Sequence, residues 1–421
     1  MSRPVKSSQR RQTEKRALEP RLGLVRKSAP GPAPRLDPHP DPVPDPASDQ
    51  GPAPIPDFTS KDALPLGPAR GRGSGLNPGN RFESVRLHVL GEHLDETLAE
   101  NPYGTQVKTR ILPDQTKSFI NPVDSPDLSM KWTINPYRGC EHGCIYCYAR
   151  PGHEYLGMSS GLDFETVILA KHDAPSLLRR ELAKRSWRGE AITMSGVTDC
   201  YQPVERKLEI TRRCLEVFVE CRQAVGIITK SKLILRDLDL LSKLREHRAV
   251  HVAISITSLD NELASKMEPR ASSPRDRLQT VRELSAVGIP VTVMTAPILP
   301  GINDREIPAL LEAAAGAGAT SAGWVMLRLP YQIKDLFLEW LQRCFPDRAA
   351  KVESFIREMH GGELYDARHF VRQRGEGPMA QQIAATFRLF AKKHGLDKQR
   401  HALNEEAFRR PALGGQAELF A

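Results

Sequence analysis

The stretch Asn135-Pro-Tyr-Arg-Gly-Cys140-Glu-His-Gly-Cys144-Ile-Tyr-Cys147-Tyr-Ala-Arg150 places three thiols within eight residues at the spacing C-x3-C-x2-C. Thiolates are soft ligands, and so tight a loop suits one corner of an iron-sulfur cube, with each sulfur on a different iron and the fourth iron left without a protein ligand. An open coordination position is what separates a catalytic metal site from a closed structural one. A second reading is a zinc knuckle that borrows His142 or His153 as fourth ligand, although no further Cys/His pair follows at zinc-finger spacing. Gly139, Gly143 and their charged neighbours describe an exposed loop.

The chain has 421 residues and is 40% hydrophobic, enough for a sizeable core. No apolar run reaches the roughly 18 residues a membrane span needs, and the N-terminus lacks the apolar centre of a secretory signal, so no membrane partner is expected. Seven cysteines, three of them in an oxygen-sensitive loop, point to a reducing cytoplasm rather than to disulfides. Cys214 and Cys221 fall in line with Ile210 and Val217 at helical spacing and read as core packing. The net charge is +9, of which +5 lies in residues 1–80, so charge permits nucleic-acid contact without demanding it.

Residues 1–80 hold 16 of the 34 prolines and form a basic, proline-rich segment that is expected to be disordered, with Arg70-Gly-Arg-Gly73 as a flexible entry to the folded part. Residues 81–130 read as an N-terminal extension packed on the core, with a strand at Ser84 to Leu90. From 131 to 330 short β-rich runs alternate with helical stretches. Six strands are expected: Trp132 to Pro136, Ala191 to Ser195, Val225 to Thr229, Val250 to Thr257, Val291 to Ala296 and Gly323 to Leu327. Helices are expected from Asp173 to Trp187 and from Asp276 to Val287. The resulting fold class is α/β, a partial open (β/α)6 TIM-type barrel, with chemistry where the strands end. Residues 331–421 form a helical extension in which Gly361-Gly-Glu-Leu-Tyr365 is a lid, a dimer surface or a plain turn.

With Tyr146 immediately before its last cysteine, the opening stretch resembles the signature of radical S-adenosylmethionine (SAM) enzymes. Together with Gly161-Leu-Asp-Phe-Glu165, Thr198-Asp-Cys-Tyr-Gln-Pro-Val-Glu205 and Glu268-Pro-Arg-Ala271, it is similar to the branch related to spore photoproduct lyase, over roughly residues 80–327. The resemblance implies a [4Fe-4S] cluster on Cys140, Cys144 and Cys147, SAM chelated at the open iron near Tyr146, and an electron donor such as flavodoxin or ferredoxin. It also implies a 5'-deoxyadenosyl radical that takes a hydrogen atom from substrate, with the protein orienting and shielding the cofactor. Because that lyase reverses a thymine dimer in DNA with a hydrogen-donating thiol, DNA repair and a DNA substrate follow as expectations.

The remaining site residues are sought at the strand ends. Ser195 and Gly196 let carbonyls approach a ligand, and with the Asp199 carboxylate they are expected to hold the SAM ammonium. Lys230, Ser255, Thr257, Glu268 and Arg270 offer hydroxyls and charges for a ribose and a carboxylate, though each alone also reads as a cap or surface ion pair. Cys200 is a candidate hydrogen donor or an idle core thiol. Finally, Gln416 to Phe420 resembles the short peptide with which bacterial repair and replication proteins dock on the sliding clamp. A non-catalytic metal-binding or clamp-docking module is the alternative function.

Overall fold

In a computed structural model of the chain, the structure describes residues 64–65, 71–82, 107–398 and 402–412. The strand expected at Ser84 to Leu90, most of the proline-rich segment and the peptide Gln416 to Phe420 lie outside the described residues.

Six parallel strands form the main sheet: β1 (Trp132–Ile134), β2 (Ile192–Met194), β3 (Val225–Thr229), β4 (Val250–Ser255), β5 (Val291–Ile298) and β6 (Ser321–Met326). Each coincides with a β-rich run in the sequence, and neighbours in sequence are neighbours in space. β4 is buried at every position, as a parallel strand covered on both faces must be. A short strand, Asn121–Pro122, adds antiparallel to β1. Among the described residues no ladder joins β6 to that opposite edge, so the sheet is open and mixed. A three-stranded sheet of Arg110–Pro113, Val167–Ala170 and Tyr137–Arg138 leads into the cysteine stretch.

Helices α1 (Ala174–Leu182), α2 (Ile210–Cys221), α3 (Leu238–Glu246), α4 (Pro274–Ala286) and α5 (Ile307–Gly316) fall between these strands in the chain. On α2, Ile210, Cys214, Val217 and Cys221 all face the core, as their spacing requires. α1 stops at Leu182, short of Trp187, and Asp173 makes no side-chain cap. α4 begins two residues before the expected Asp276, because the Ser273 hydroxyl accepts the Asp276 N–H at 3.1 Å and caps the helix. After β6 come α6 (Ile333–Cys344), α7 (Pro346–Met359) and α8 (Gly377–Lys393). Gly361 and Gly362 form a turn with positive φ after α7.

The structure departs from the composition-based boundary at 71–80, which was assigned to the disordered segment. The Arg72 guanidinium donates to the Glu165 carbonyl at 2.7 Å, and the amides of Gly73 and Ser74 donate to the Glu165 carboxylate at 3.0 and 2.9 Å. A Cβ on Gly73 would lie 1.8 Å from the Gly143 carbonyl oxygen, so this glycine serves close backbone approach rather than flexibility.

Two other segments tie the sheet together. Residues 366–374 run along β6, where Met326 N donates to Gln373 O at 2.9 Å, and reach the loop before β1, where Arg372 pairs with Asp127. Residues 402–412 cross the opposite end of the sheet: Asn404 bonds the Arg248 carbonyl, Glu405 accepts from Ala191 N, and Arg409 N reaches the Cys221 carbonyl. Each of those partners precedes a strand.

Candidate functional site

The cysteine loop lies after β1 at the carboxyl end of the sheet, and it is buried rather than exposed. Cys140 and Cys144 are 7% and 8% accessible, and Cys147 is partly buried. The charged neighbours that suggested an exposed loop are engaged inward. Arg150, fully buried, donates to the Cys144 carbonyl at 2.9 and 3.1 Å and to the Glu165 carboxylate at 2.5 Å. Glu141 N donates to Gln202 Oε1 at 2.9 Å, while Gln202 Nε2 donates to the Gly139 carbonyl at 3.1 Å. Gly143, at φ +66°, has Glu165 Oε2 2.8 Å from where a Cβ would stand.

Burial pushes all three thiols above their ordinary range. For Cys144 the Glu268 carboxylate adds to the rise and Lys230 opposes it; for Cys147, Arg150 and Lys230 oppose it. A coordinating metal would displace the proton from such a thiol and release it to solvent, leaving a bound thiolate. Among the described residues no three His, Cys, Asp or Glu side chains converge on one point as a single ion requires. A cube distributes its three thiolates over three irons, and the donor set fits that group.

Asp199 is spent on the protein itself. Its carboxylate accepts from the Thr229 hydroxyl at 2.7 Å, Lys230 N at 2.8 Å and Tyr201 N at 2.9 Å, and it lies 3.3 Å from His142 Nδ1. Burial raises its pKa, but His142 and these hydrogen bonds outweigh that and bring it down to about 2. Asp199 thus fastens the cysteine loop, through His142, to the end of β3. Ser195 sits at φ +81° and its hydroxyl accepts from Cys200 N at 2.9 Å; the Gly196 carbonyl accepts the Tyr148 hydroxyl at 2.5 Å.

Across the rim, Tyr146 and Thr257 both donate to Glu268 Oε1, and Arg277 pairs with Glu268 Oε2. Burial raises the Glu268 pKa against the pull of Arg277. Thr257 and Glu268 therefore form a buried brace under Tyr146. Arg270 joins the same structural layer through Glu141 at 3.2 Å and through its N–H to the His142 carbonyl. Ser255 keeps a hydroxyl with no hydrogen bond among the described residues. Lys230 makes no ion pair there either, and its Nζ stands 5.8 Å from the Tyr146 ring centre.

Cys200 is fully buried in the main apolar cluster with Cys214 and Tyr201. Burial and the Asp199 charge push its thiol pKa up. A hydrogen donor has to face the substrate, and the buried Cys200 thiol lies among apolar neighbours.

Sequence reasoning overlooked the Arg72–Glu165–Arg150 staple, Gln202, Tyr148 and Arg328. The alternating glycines at 71, 73 and 75 could have been read as close backbone approach; nothing local marks Arg328.

The Radical SAM superfamily family model matches residues 134–314. An uncharacterized protein of Mycobacterium tuberculosis is 34% identical over 244 residues, 57% of this chain and 72% of that protein. A protein of Pseudomonas phage M6 named radical SAM Nalpha-GlyT isomerase is 25% identical over 241 residues, 56% of this chain and 48% of its own. Among solved structures, a spore photoproduct lyase complexed with dinucleoside spore photoproduct covers 68% of this chain and 78% of its own, at 17% identity and a TM-score of 0.49.

Proposed function

Because this chain belongs to the radical SAM superfamily, we propose that it is an enzyme that uses a [4Fe-4S] cluster on Cys140, Cys144 and Cys147, together with SAM, to act on pyrimidines in DNA by lyase-type repair. When bound, that pair of cofactors supplies the one-electron cleavage of a carbon-sulfur bond and hence the radical. The observation that carries the reading is the buried three-thiol loop at the strand ends, faced by Lys230 with no carboxylate of its own among the described residues.

The protein's own residues hold and shield. Arg150 and Glu165 fix the loop backbone, and Asp199 and Gln202 fix it from the other side. Lys230 would take the SAM carboxylate, the carbonyls about Ser195 and Gly196 its ammonium, and the Ser255 hydroxyl its ribose. Tyr146, braced by Glu268, shields the site from water. The Tyr148 hydroxyl meets the end of β2 while its ring lies 4.9 Å from Arg328 at the end of β6. In a flat sheet those strands would stand ~19 Å apart, so the contact supports a curled sheet and a partial (β/α)6 barrel.

A low-potential protein such as flavodoxin or ferredoxin is the electron donor we propose, and a reducing cytoplasm the compartment. Among the described residues no helix is long and apolar enough to cross a membrane. The DNA part rests on the resemblance of four sequence motifs to those of the photoproduct-lyase branch.

Anaerobic reconstitution followed by SAM and dithionite tests the reading, with 5'-deoxyadenosine quantified by chromatography. We expect formation that is lost when the three cysteines are changed to alanine and accelerated by ultraviolet-irradiated DNA. No 5'-deoxyadenosine from a fully loaded cluster rejects the enzyme; formation indifferent to irradiated DNA rejects the substrate.

A further inference from the structure

Two cations at the rim flank Cys147, one on each neighbouring tyrosine. Lys230 lies over Tyr146 and faces the cysteines. Arg328 lies over Tyr148, at the end of β6, and its situation differs from that of four arginines of the cysteine loop and its surroundings. Arg270 is paired with Glu141, Arg277 with Glu268, Arg150 with Glu165 and Arg81 with Glu154. Arg328 has no carboxylate among the described residues, and its Nε is buried without a hydrogen-bond acceptor. A guanidinium held by an aromatic face and left without an anion is a fork awaiting one.

Three residues further on, Tyr331 begins an exposed aromatic group. Tyr331 is 62% accessible and sits at φ +53°, a conformation a bulky side chain adopts only under constraint. The Arg81 guanidinium lies 4.1 Å from its ring centre and 4.8 Å from that of Phe82, and Phe82 stands 5.2 Å from Tyr155. Phe82 and Tyr155 are 59% and 73% accessible. Flat π-faces that begin three residues along the chain from an unpaired guanidinium match a strand with an anion at each step and a planar base between steps.

We propose that Arg328 is a phosphate-binding, specificity-determining residue of the substrate site, and that Tyr331, Phe82 and Tyr155 stack the unpaired bases of a single-stranded nucleic-acid segment led to the mouth beside Tyr148. This rests on the DNA reading above and narrows it: the strand is gripped by backbone phosphate and base faces, outside a duplex. An acidic peptide would satisfy the guanidinium but would leave the aromatic faces without planar partners.

The test uses the full chain, anaerobically reconstituted, and a fluorescent twelve-nucleotide oligothymidylate whose binding is followed by anisotropy across a salt series. Wild type is compared with Arg328→Gln, Arg328→Lys and the surface variant Tyr331→Ala at matched cluster content and thermal midpoint. Loss of one phosphate contact should weaken Arg328→Gln about tenfold and make the slope of log affinity on log salt shallower by about one. Arg328→Lys should recover the slope and part of the affinity. Tyr331→Ala should lose affinity with its slope unchanged. The proposal is overturned if Arg328→Gln binds like wild type, or if an oligoglutamate of equal charge binds as tightly as the oligothymidylate. It is also overturned if loaded wild type makes 5'-deoxyadenosine yet does not bind the strand. Strand binding without 5'-deoxyadenosine sinks the enzyme reading and leaves this one standing.

Discussion

Glu165 ties the cysteine loop to a segment far from it in sequence. One fully buried carboxylate receives Arg150, Gly73 N and Ser74 N, so three stretches distant in sequence meet on two oxygens. Changing Glu165→Gln strands the Arg150 charge in the interior, and breaking a buried pair in this way costs about 3–5 kcal/mol. We expect a lower urea midpoint and less iron bound per chain on reconstitution. Lys171 gives a pH signature of its own. Burial brings its pKa down to about 8, below the ~10.4 of an unfolded lysine. Between those values the unfolded chain binds more protons than the folded one, so stability rises with pH across that window. Lys171→Met should flatten the rise in a pH series of thermal melts. The spacing of the three cysteines is legible from sequence because it is local. The partners of Asp199 and the burial of Cys200 were not legible, because a carboxylate and a thiol look alike in sequence whether they face a ligand or the protein.

The elements were legible where burial is uniform. A parallel strand such as β4 writes itself as a largely apolar run, broken only by His251 before its terminal Ser255, and α2 shows its buried stripe directly. Ends were less legible: α4 starts where Ser273 finds the Asp276 amide, a matter of one hydrogen bond. The segment 366–374 carried no signal, since it is held by β6 and by Asp127, the latter some 240 residues away. The Asp127 side chain is 2% accessible and its pKa is held well below the carboxylate range, chiefly by hydrogen bonds from Arg372. Its contribution is therefore present above the unfolded value of ~3.9 and is lost as pH falls below it. Asp127→Asn should remove that acid-dependent part and admit protease cleavage between 366 and 374 at neutral pH, read by mass spectrometry. Unaltered cleavage would mean that the bridge to β6 holds without this ion pair.

At the scale of the molecule, residues 71–80, expected in the proline-rich segment, pack on the folded body. Because Arg72 to Ser74 are built into the cysteine loop, we expect a chain starting at residue 64 to load its cluster, and one starting at residue 83 to fold its sheet yet bind little iron. Iron content and charge-transfer absorbance distinguish the two. The mouth and residues 402–412 occupy opposite ends of the sheet, since the latter lie against the carbonyls and amides that precede β2, β3 and β4. An affinity handle or a surface tether joined beyond residue 412 therefore leaves from the back, and the protein can be moored to a bead or a sensor chip with its opening turned toward the solution.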